Sequence, residues 1–262
     1  MSDAAFPLVR NRAGERLDVA FVAAAGGAAR PPLAILGHGV TSAHDRPYLV
    51  ALGAALAALG VDVARVSFAG NGASEGRFDQ CCPTKEVADL GALLDAAWTA
   101  GWRRFGYAGH SMGGAVGVLR AAGEAAGGGG PRLAALVSLA GMFHVAPFFA
   151  RVCGTLRHGE PIGGRVACPW NRALDEDARR LGSLHAAAAA VRCPWLLVHG
   201  TMDELVPLAD SFDARAAWRA ANAGTPAPEP ELVALSGVDH RFTGAIEGMV
   251  RVVAPWLAER LA

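Results

Sequence analysis

The stretch RRFGYAGHSMGGAVGVLRAAGE, Arg103 to Glu124, decides how this chain is read. RRFGYAG has the character of a short strand and GGAVGVLRAAGEAA that of a helix. Between them Gly109-His110-Ser111-Met112-Gly113 matches the pattern G-x-S-x-G. A serine is nucleophilic only if its hydroxyl is exposed, beside a general base and near donors for a developing oxyanion. A tight strand-to-helix turn supplies that geometry, because it projects the serine and aims the next residue's N–H into the site. Small residues flank such a serine because strand and helix backbones crowd within the turn. A second match, Gly72-Ala73-Ser74-Glu75-Gly76, lacks this context. Loop residues separate Ser74 from its strand, and the polar or helix-breaking run Arg77 to Pro83 follows. Ser74 therefore reads as a loop residue and Ser111 as the expected nucleophile.

Outward from that turn, strands and helices alternate. FPLVRNRAGERLDVAFV reads as an N-terminal antiparallel hairpin around the turn signal Asn11 to Gly14. PPLAILGHG and VDVARVSF read as strands, and Pro47 opens the helix YLVALGAALAALG, which Gly60 stops. A loop from Ala69 to Pro83 leads to the helix KEVADLGALLDAAWTAG, with Thr84 a weak cap signal. RLAALVSLAG, CPWLLVHG and PELVALSG read as later strands, with helices LADSFDARAAWRAANAG and TGAIEGMVRVVAPWLAERLA after the last two. Such alternation implies right-handed crossovers and a mostly parallel central sheet with helices on both faces. The fold class is α/β, in one domain spanning 1–262. Residues 142–182 break the rhythm without a clear strand, and a segment of that length reads as a small helical cap or lid insert within the domain.

Composition narrows the function. Hydrophobic residues make up 52% of the 262 and charged residues 18%, enough to bury a sizeable core. Lys+Arg and Asp+Glu are both 24, which gives no basic surplus for nucleic acid or an anionic membrane. The longest apolar run, Tyr48 to Val61, stops at Asp62 and is too short to span a bilayer. The N-terminal stretch lacks the features of a signal peptide, and five cysteines without a C-x-x-C pair favour a reduced, cytoplasmic setting.

A serine nucleophile needs an imidazole base and a carboxylate to orient it. In a sheet of this type both should come from loops at the carboxyl ends of later strands. CPWLLVHG is followed by TMDELVP, which offers Asp203, and PELVALSG by VDHRF, which offers His240. Asp239 adjoins His240 and is badly placed to orient that neighbour's ring, and Asp210 and Asp213 read as solvated helix residues. His199 closes a buried strand and reads as a core histidine. His144, His158 and His185 read as surface residues in or beside the insert. LGHGVTSAHD follows the first central strand, where a His-Gly turn would offer the N–H of Val40 as an oxyanion donor beside that of Met112.

LGHGVTSAHDRPYLVALGAALAALGVDVARVSFAGNGASEGRF, AGHSMGG, LLVHGTMDELVP and GVDHRF together resemble the α/β-hydrolase superfamily. The resemblance is to its small bacterial esterase and serine-aminopeptidase-like branch, which includes feruloyl-esterase-like and monoacylglycerol-lipase-like enzymes. It covers nearly the whole chain except the insert. It implies a Ser111–Asp203–His240 catalytic triad, an oxyanion hole from the Val40 and Met112 amides, and a serine esterase working through an acyl-enzyme. Gly72 to Gly76 falls where that branch carries a similar loop. Many relatives have an aromatic residue where Val40 stands, which bears on the size of the acyl pocket.

The expected partner is a small-molecule acyl ester. Amide, peptide or thioester hydrolysis by the same residues is the alternative, and a non-catalytic binding protein on the same fold is a further one. No metal or organic cofactor is implied, because no His/Cys/Asp group has ligand spacing. GMFHVAPFF offers Met142, Phe143, Phe148 and Phe149 either as the apolar wall of a substrate pocket or as residues that pack the insert onto the body.

Overall fold

Alternate residues along the central strands face opposite ways, and here both faces are apolar. Leu33, Ile35, Tyr107, Leu136 and Leu197 point into one buried cluster. Ala34, Leu36, Ala108, Val137 and Leu196 point into another. Strands covered on both faces in this way belong to parallel sheets flanked by helices. The computed structural model describes residues 6–26 and 31–262, so the first five residues of the N-terminal stretch lie outside it.

In chain order the elements are β1 (Asp18–Val22), β2 (Leu33–Gly37), α1 (Pro47–Ala58), β3 (Asp62–Ser67), α2 (Pro83–Ala100), β4 (Phe105–His110) and α3 (Met112–Ala125). Then come β5 (Leu133–Leu139), α4 (Val145–Cys153), β6 (Pro161–Ile162), β7 (Arg165–Pro169), α5 (Arg172–Leu181) and α6 (His185–Ala190). The chain finishes with β8 (Trp195–Gly200), α7 (Ala209–Asn222), β9 (Glu231–Leu235) and α8 (Ile246–Leu261). The main sheet has the order β1-β3-β2-β4-β5-β8-β9. β1 runs antiparallel at its edge, and the other neighbours are parallel. α1 and α8 cover one face. α2, α3, α6 and α7 contribute to the apolar cluster on the other.

This order positions the site. From β2 the chain moves outward to β3, then crosses back to place β4 on the other side of β2. That reversal opens a crevice at the strands' carboxyl ends, where open α/β sheets bind ligands. Gly37 of β2 pairs in register with Gly109 of β4, so the loop carrying Val40 lies beside the turn carrying Ser111. At the far side Gly200 of β8 pairs with Leu235 of β9, which brings the Asp203 and His240 loops together.

Three local readings gain detail. The N-terminal hairpin turn forms, with Leu17 N–H donating to Val9 and Asn11 N–H to Glu15. Its first arm makes only the isolated bridge Arg10–Arg16, because the second arm, continuing as β1, pairs with β3 instead. α2 begins at Pro83, and Thr84 does not cap it: its N–H and hydroxyl both bind the carboxylate of Asp177 in α5. The insert holds α4 and α5, and also the β6–β7 hairpin that its sequence did not announce. Pro, Gly and Arg punctuate that hairpin and mask any alternation. The insert has its own apolar cluster, in which Phe148, Phe149, Ile162, Trp170 and Leu174 pack with Met112 and Val206 of the body.

Candidate functional site

Ser111 sits at the junction of β4 and α3 with φ 55° and ψ −116°. A non-glycine residue in that region costs about 1–3 kcal/mol and persists only where its surroundings hold it. The surroundings are specific. Ser111 N–H donates to the Leu139 carbonyl at 2.9 Å, and its own carbonyl accepts from Gly114 at 2.9 Å and Met142 at 3.1 Å. A Cβ on Gly109 would lie 2.1 Å from the Gly113 carbonyl, and one on Gly113 would lie 2.6 Å from the His38 carbonyl. Only glycine fits either side of the turn. Thr41 and Phe242, two further non-glycine residues with positive φ, sit on the neighbouring loops.

His240 Nδ1 lies 2.7 Å from Asp203 Oδ2. The carboxylate can only accept, so Nδ1 carries the proton and Nε2 is left with its lone pair. The Asp203 side chain is fully buried. Its Oδ1 accepts from the N–H groups of Leu205 and Val206 at 2.9 and 2.7 Å. His199 Nε2 approaches Oδ2 at 3.2 Å. Burial pushes the Asp203 carboxyl up, but hydrogen bonds from His199 and His240 outweigh it and hold the group well below the usual carboxylate range. It is therefore ionised wherever the protein is folded near neutrality.

Three further histidines hold this arrangement, and sequence reasoning gave none of them that part. His199 is a buried, satisfied histidine as expected. Its Nε2–H is shared between Asp203 and the Val206 carbonyl at 2.9 Å, and Ser211 donates to its Nδ1 at 2.8 Å. His110 Nε2–H donates to the main-chain carbonyl of His240 at 2.8 Å, and its Nδ1 accepts from the Tyr48 hydroxyl at 3.0 Å. Burial, with the charge of His240 in second place, pushes His110 down to about 3. His38 Nδ1–H donates to the Gly39 carbonyl at 2.8 Å, and its Nε2 accepts from Phe68 N–H at 3.0 Å. Burial pushes His38 down to about 4. In the Gly39–Val40 peptide the N–H points opposite to the C=O that His38 holds, so His38 aims the Val40 N–H. The available sequence signal was position: His38 immediately follows β2, and His110 and His199 lie in the terminal residues of β4 and β8.

Ser111, His110, His240 and Val40 line one cavity of about 540 Å³. The backbone N–H groups of Val40 and Met112 donate to no other group among the described residues. A larger concavity of about 900 Å³, between residues 7–12 and α2, is lined by no Ser, His or Cys among the described residues and is a surface groove. Of the four residues expected to wall the pocket, only Phe148 does so, beside Val152, Ile162 and Leu205. Phe149 turns away and stacks on Trp170, with ring centres 5.5 Å apart. Phe143 packs edge-on against Trp195 in the main core, and Met142 is fully buried. The reason is helical phase: successive residues of α4 point about 100° apart, so Phe148 and Phe149 cannot face the same space.

The remaining candidates have other uses. Ser74 Oγ accepts from Asp18 N–H at 2.7 Å and donates to the Ser67 carbonyl at 2.5 Å, latching its loop to β1 and β3. Asp239 accepts from the N–H groups of Arg241 and Thr243. Asp210 is buried rather than solvated, because its Oδ2 binds the N–H groups of Phe143 and His144 where the insert begins. His144, His185 and Asp213 form the one group, among the described residues, whose ligand atoms lie close enough to share a cation, within 4.8 Å of one another. They come from three separate segments, so spacing along the chain could not reveal them.

No family model matches this chain, and no curated protein does. Solved structures do. Est1E from Butyrivibrio proteoclasticus, solved with ferulic acid bound, superposes with a TM-score of 0.78 at 22% identity, over 97% of this chain and 99% of that one. The fold is that of the α/β hydrolases. Mouse alpha/beta hydrolase domain-containing protein 10 matches with a TM-score of 0.74 at 18% identity, over 98% and 99% of the two chains. The Pyrococcus furiosus esterase Pf2001 matches with a TM-score of 0.72 at 18% identity, over 98% and 92%. No helix among the described residues is long and apolar enough to cross a membrane.

Proposed function

We propose that this protein is a serine hydrolase that cleaves carboxylic esters through an acyl-enzyme. The observation that carries the reading is the buried Asp203 carboxylate, 2.7 Å from His240 Nδ1, behind a cavity shared by His240 and the strained Ser111. The resemblance of the motifs and the esterase structures of the same fold support it. Ser111 Oγ attacks the ester carbon, and His240 Nε2 takes the hydroxyl proton. The carbonyl electron pair moves onto oxygen, where the N–H groups of Val40 and Met112 receive it. Asp203 stabilises the imidazolium. The intermediate collapses, the ester C–O bond breaks, and His240 gives its proton to the departing alkoxide. Water then loses a proton to His240 and attacks the acyl carbon, the bond to Ser111 Oγ breaks, and His240 returns the proton to Oγ as the acid leaves.

In this mechanism the insert is a cap. It supplies Phe148, Val152 and Ile162 to the cavity, and Asp177 and Asp210 tie its two ends to the body.

A fluorophosphonate probe and a panel of 4-nitrophenyl esters test the proposal. Ser111 should label, and Ser111→Ala should lose labelling and on the order of 10⁶ in turnover. A folded wild-type protein that neither labels nor turns over any ester would overturn it in favour of a binding role.

A further inference from the structure

The cavity beside Ser111 has two kinds of lining. Phe148, Val152, Ile162 and Leu205 are apolar. Arg46 from the turn before α1, Arg165 from β7 of the insert, and Arg241, the residue after His240, bring positive charge. Among the described residues no Asp or Glu lines the cavity, although acidic and basic residues balance at 24 each over the chain.

These cations are incompletely used. Arg165 gives one hydrogen bond to the Thr41 carbonyl at 2.6 Å. Arg46 pairs at 3.2 Å with the exposed Asp45, while its buried Nε has no partner among the described residues. The Arg241 side chain makes no hydrogen bond or ion pair among the described residues, and the neighbouring Asp239 carboxylate is already held by two backbone N–H groups. Burial pushes the Tyr48 phenol, which lines the same cavity, up to about 12, and a hydrogen bond with Ser42 and the charges of Arg46, Arg241 and Arg165 pull it partly back. One sign of charge in a concave, low-dielectric site focuses the field and concentrates the opposite ion. Guanidinium forks match carboxylate and phosphate oxygens, which makes arginine the residue suited to hold them.

We propose that the cavity selects an ester bearing an anionic group, a carboxylate or a phosphate, which Arg46, Arg165 and Arg241 hold while the apolar residues take the carbon chain. This rests on the serine-hydrolase reading and names its substrate class. Arg165 and Arg241 are exposed at the mouth, so solvent and salt weaken their grip. The expected preference is about tenfold, the scale of one partly screened charged hydrogen bond.

The test compares kcat/KM for matched esters after subtracting uncatalysed hydrolysis. Mono-4-nitrophenyl succinate and glutarate are set against 4-nitrophenyl butyrate and valerate, for an acyl-side carboxylate. 4-Acetoxybenzoate and 4-acetoxyphenyl phosphate are set against phenyl acetate, for a charge on the alcohol side. At least one charged ester should be preferred about tenfold, and the preference should shrink as salt rises. Arg165→Ala should lower the charged-to-neutral ratio, Arg165→Glu should lower it further, and Arg165→Lys should keep part of it. Arg241→Gln provides a second variant should substitution in the hairpin disturb the cap. A ratio at or below one for every pair, or one indifferent to Arg165→Glu and Arg241→Gln, overturns the proposal while turnover of the neutral esters leaves the hydrolase reading standing. Failure of Ser111 to label, with no turnover of any ester, removes the hydrolase reading and this proposal with it.

Discussion

His110 donates from Nε2 to the main-chain carbonyl of His240 at 2.8 Å, so the residue beside the expected nucleophile holds the backbone of the expected base. The Tyr48 hydroxyl fixes the other ring nitrogen at 3.0 Å. His110→Phe should leave the His240 carbonyl without its donor, costing about 1–3 kcal/mol. It should also let the imidazole drift. Misplacement on the scale of 1 Å costs up to about 10² in rate. We expect kcat to fall while KM changes little, and Tyr48→Phe to do the same more weakly. Steady-state kinetics beside urea denaturation separates the two effects. Unchanged kcat in a folded His110→Phe protein would confine His110 to packing.

The same burial makes stability depend on pH. His110 and His38 are pushed down to about 3 and about 4, whereas an unfolded histidine titrates near 6.5. Between those values the unfolded chain binds more protons, so each histidine removes stability as pH falls below about 6.5. The loss is about 1.4 kcal/mol per pH unit for each, and it levels off below the folded value. Asp203, whose pKa is also lowered, removes stability in the same direction as pH falls, but only below about pH 4. Glu86 is raised by burial and gains stability as pH falls, so it offsets part of the slope. The clean measurement is therefore a difference. Urea denaturation of wild type and His110→Gln at pH 7.5 and pH 5 should show a shallower pH dependence in the variant, by roughly 2 kcal/mol. Equal slopes would mean that His110 stays accessible to protons.

Much of the fold was legible because strand ends and turns are local signals. Gly109, Gly113 and Pro47 announce their own backbone geometry, and an apolar run such as LAILG allows little but a buried strand. Ser111, Asp203 and His240 stand out as candidates for the same reason, since each follows a strand whose carboxyl end faces the crevice. What was not legible depends on side-chain direction across the fold. Adjacent Phe148 and Phe149 read identically until α4 is docked. His199 reads as a core residue until the Asp203 loop folds back beneath it. Arg46, Arg165 and Arg241 lie in three unrelated segments, and overall neutrality hides their convergence.

Asp203 separates orientation from binding. Asp203→Asn keeps the shape but places a donor or a neutral acceptor against His240 Nδ1, which favours the wrong tautomer. A loss in kcat on the order of 10⁴ is expected, with a smaller change in KM. His199→Gln should cost less, because Leu205 and Val206 still hold the other carboxylate oxygen. Asp210→Asn should lower thermal stability rather than abolish turnover, since that carboxylate binds the start of the insert. Full activity in Asp203→Asn, or inactivity of a folded Asp210→Asn protein, would transfer the role to Asp210.

Phe148 and Phe149 give the sharpest contrast, being neighbours in sequence with different surroundings. Phe148 walls the cavity under the Arg151 guanidinium, 5.7 Å from its ring centre. Phe149 lies against Trp170 inside the insert's apolar cluster. An apolar pocket gains about 0.8 kcal/mol for each methylene buried, roughly fourfold in kcat/KM, until it is full. Phe148→Ala should therefore move the acyl-length optimum among neutral esters toward longer chains. Phe149→Ala should leave that optimum in place and instead cost about 3–5 kcal/mol of stability through the cavity it opens. The readouts are a chain-length series of 4-nitrophenyl esters and urea denaturation on both variants. Should the optimum shift with Phe149→Ala and not with Phe148→Ala, the docking of α4 is wrong. If neither variant shifts it, acyl length is set elsewhere, and Val40, which lines the same cavity, is the next residue to enlarge.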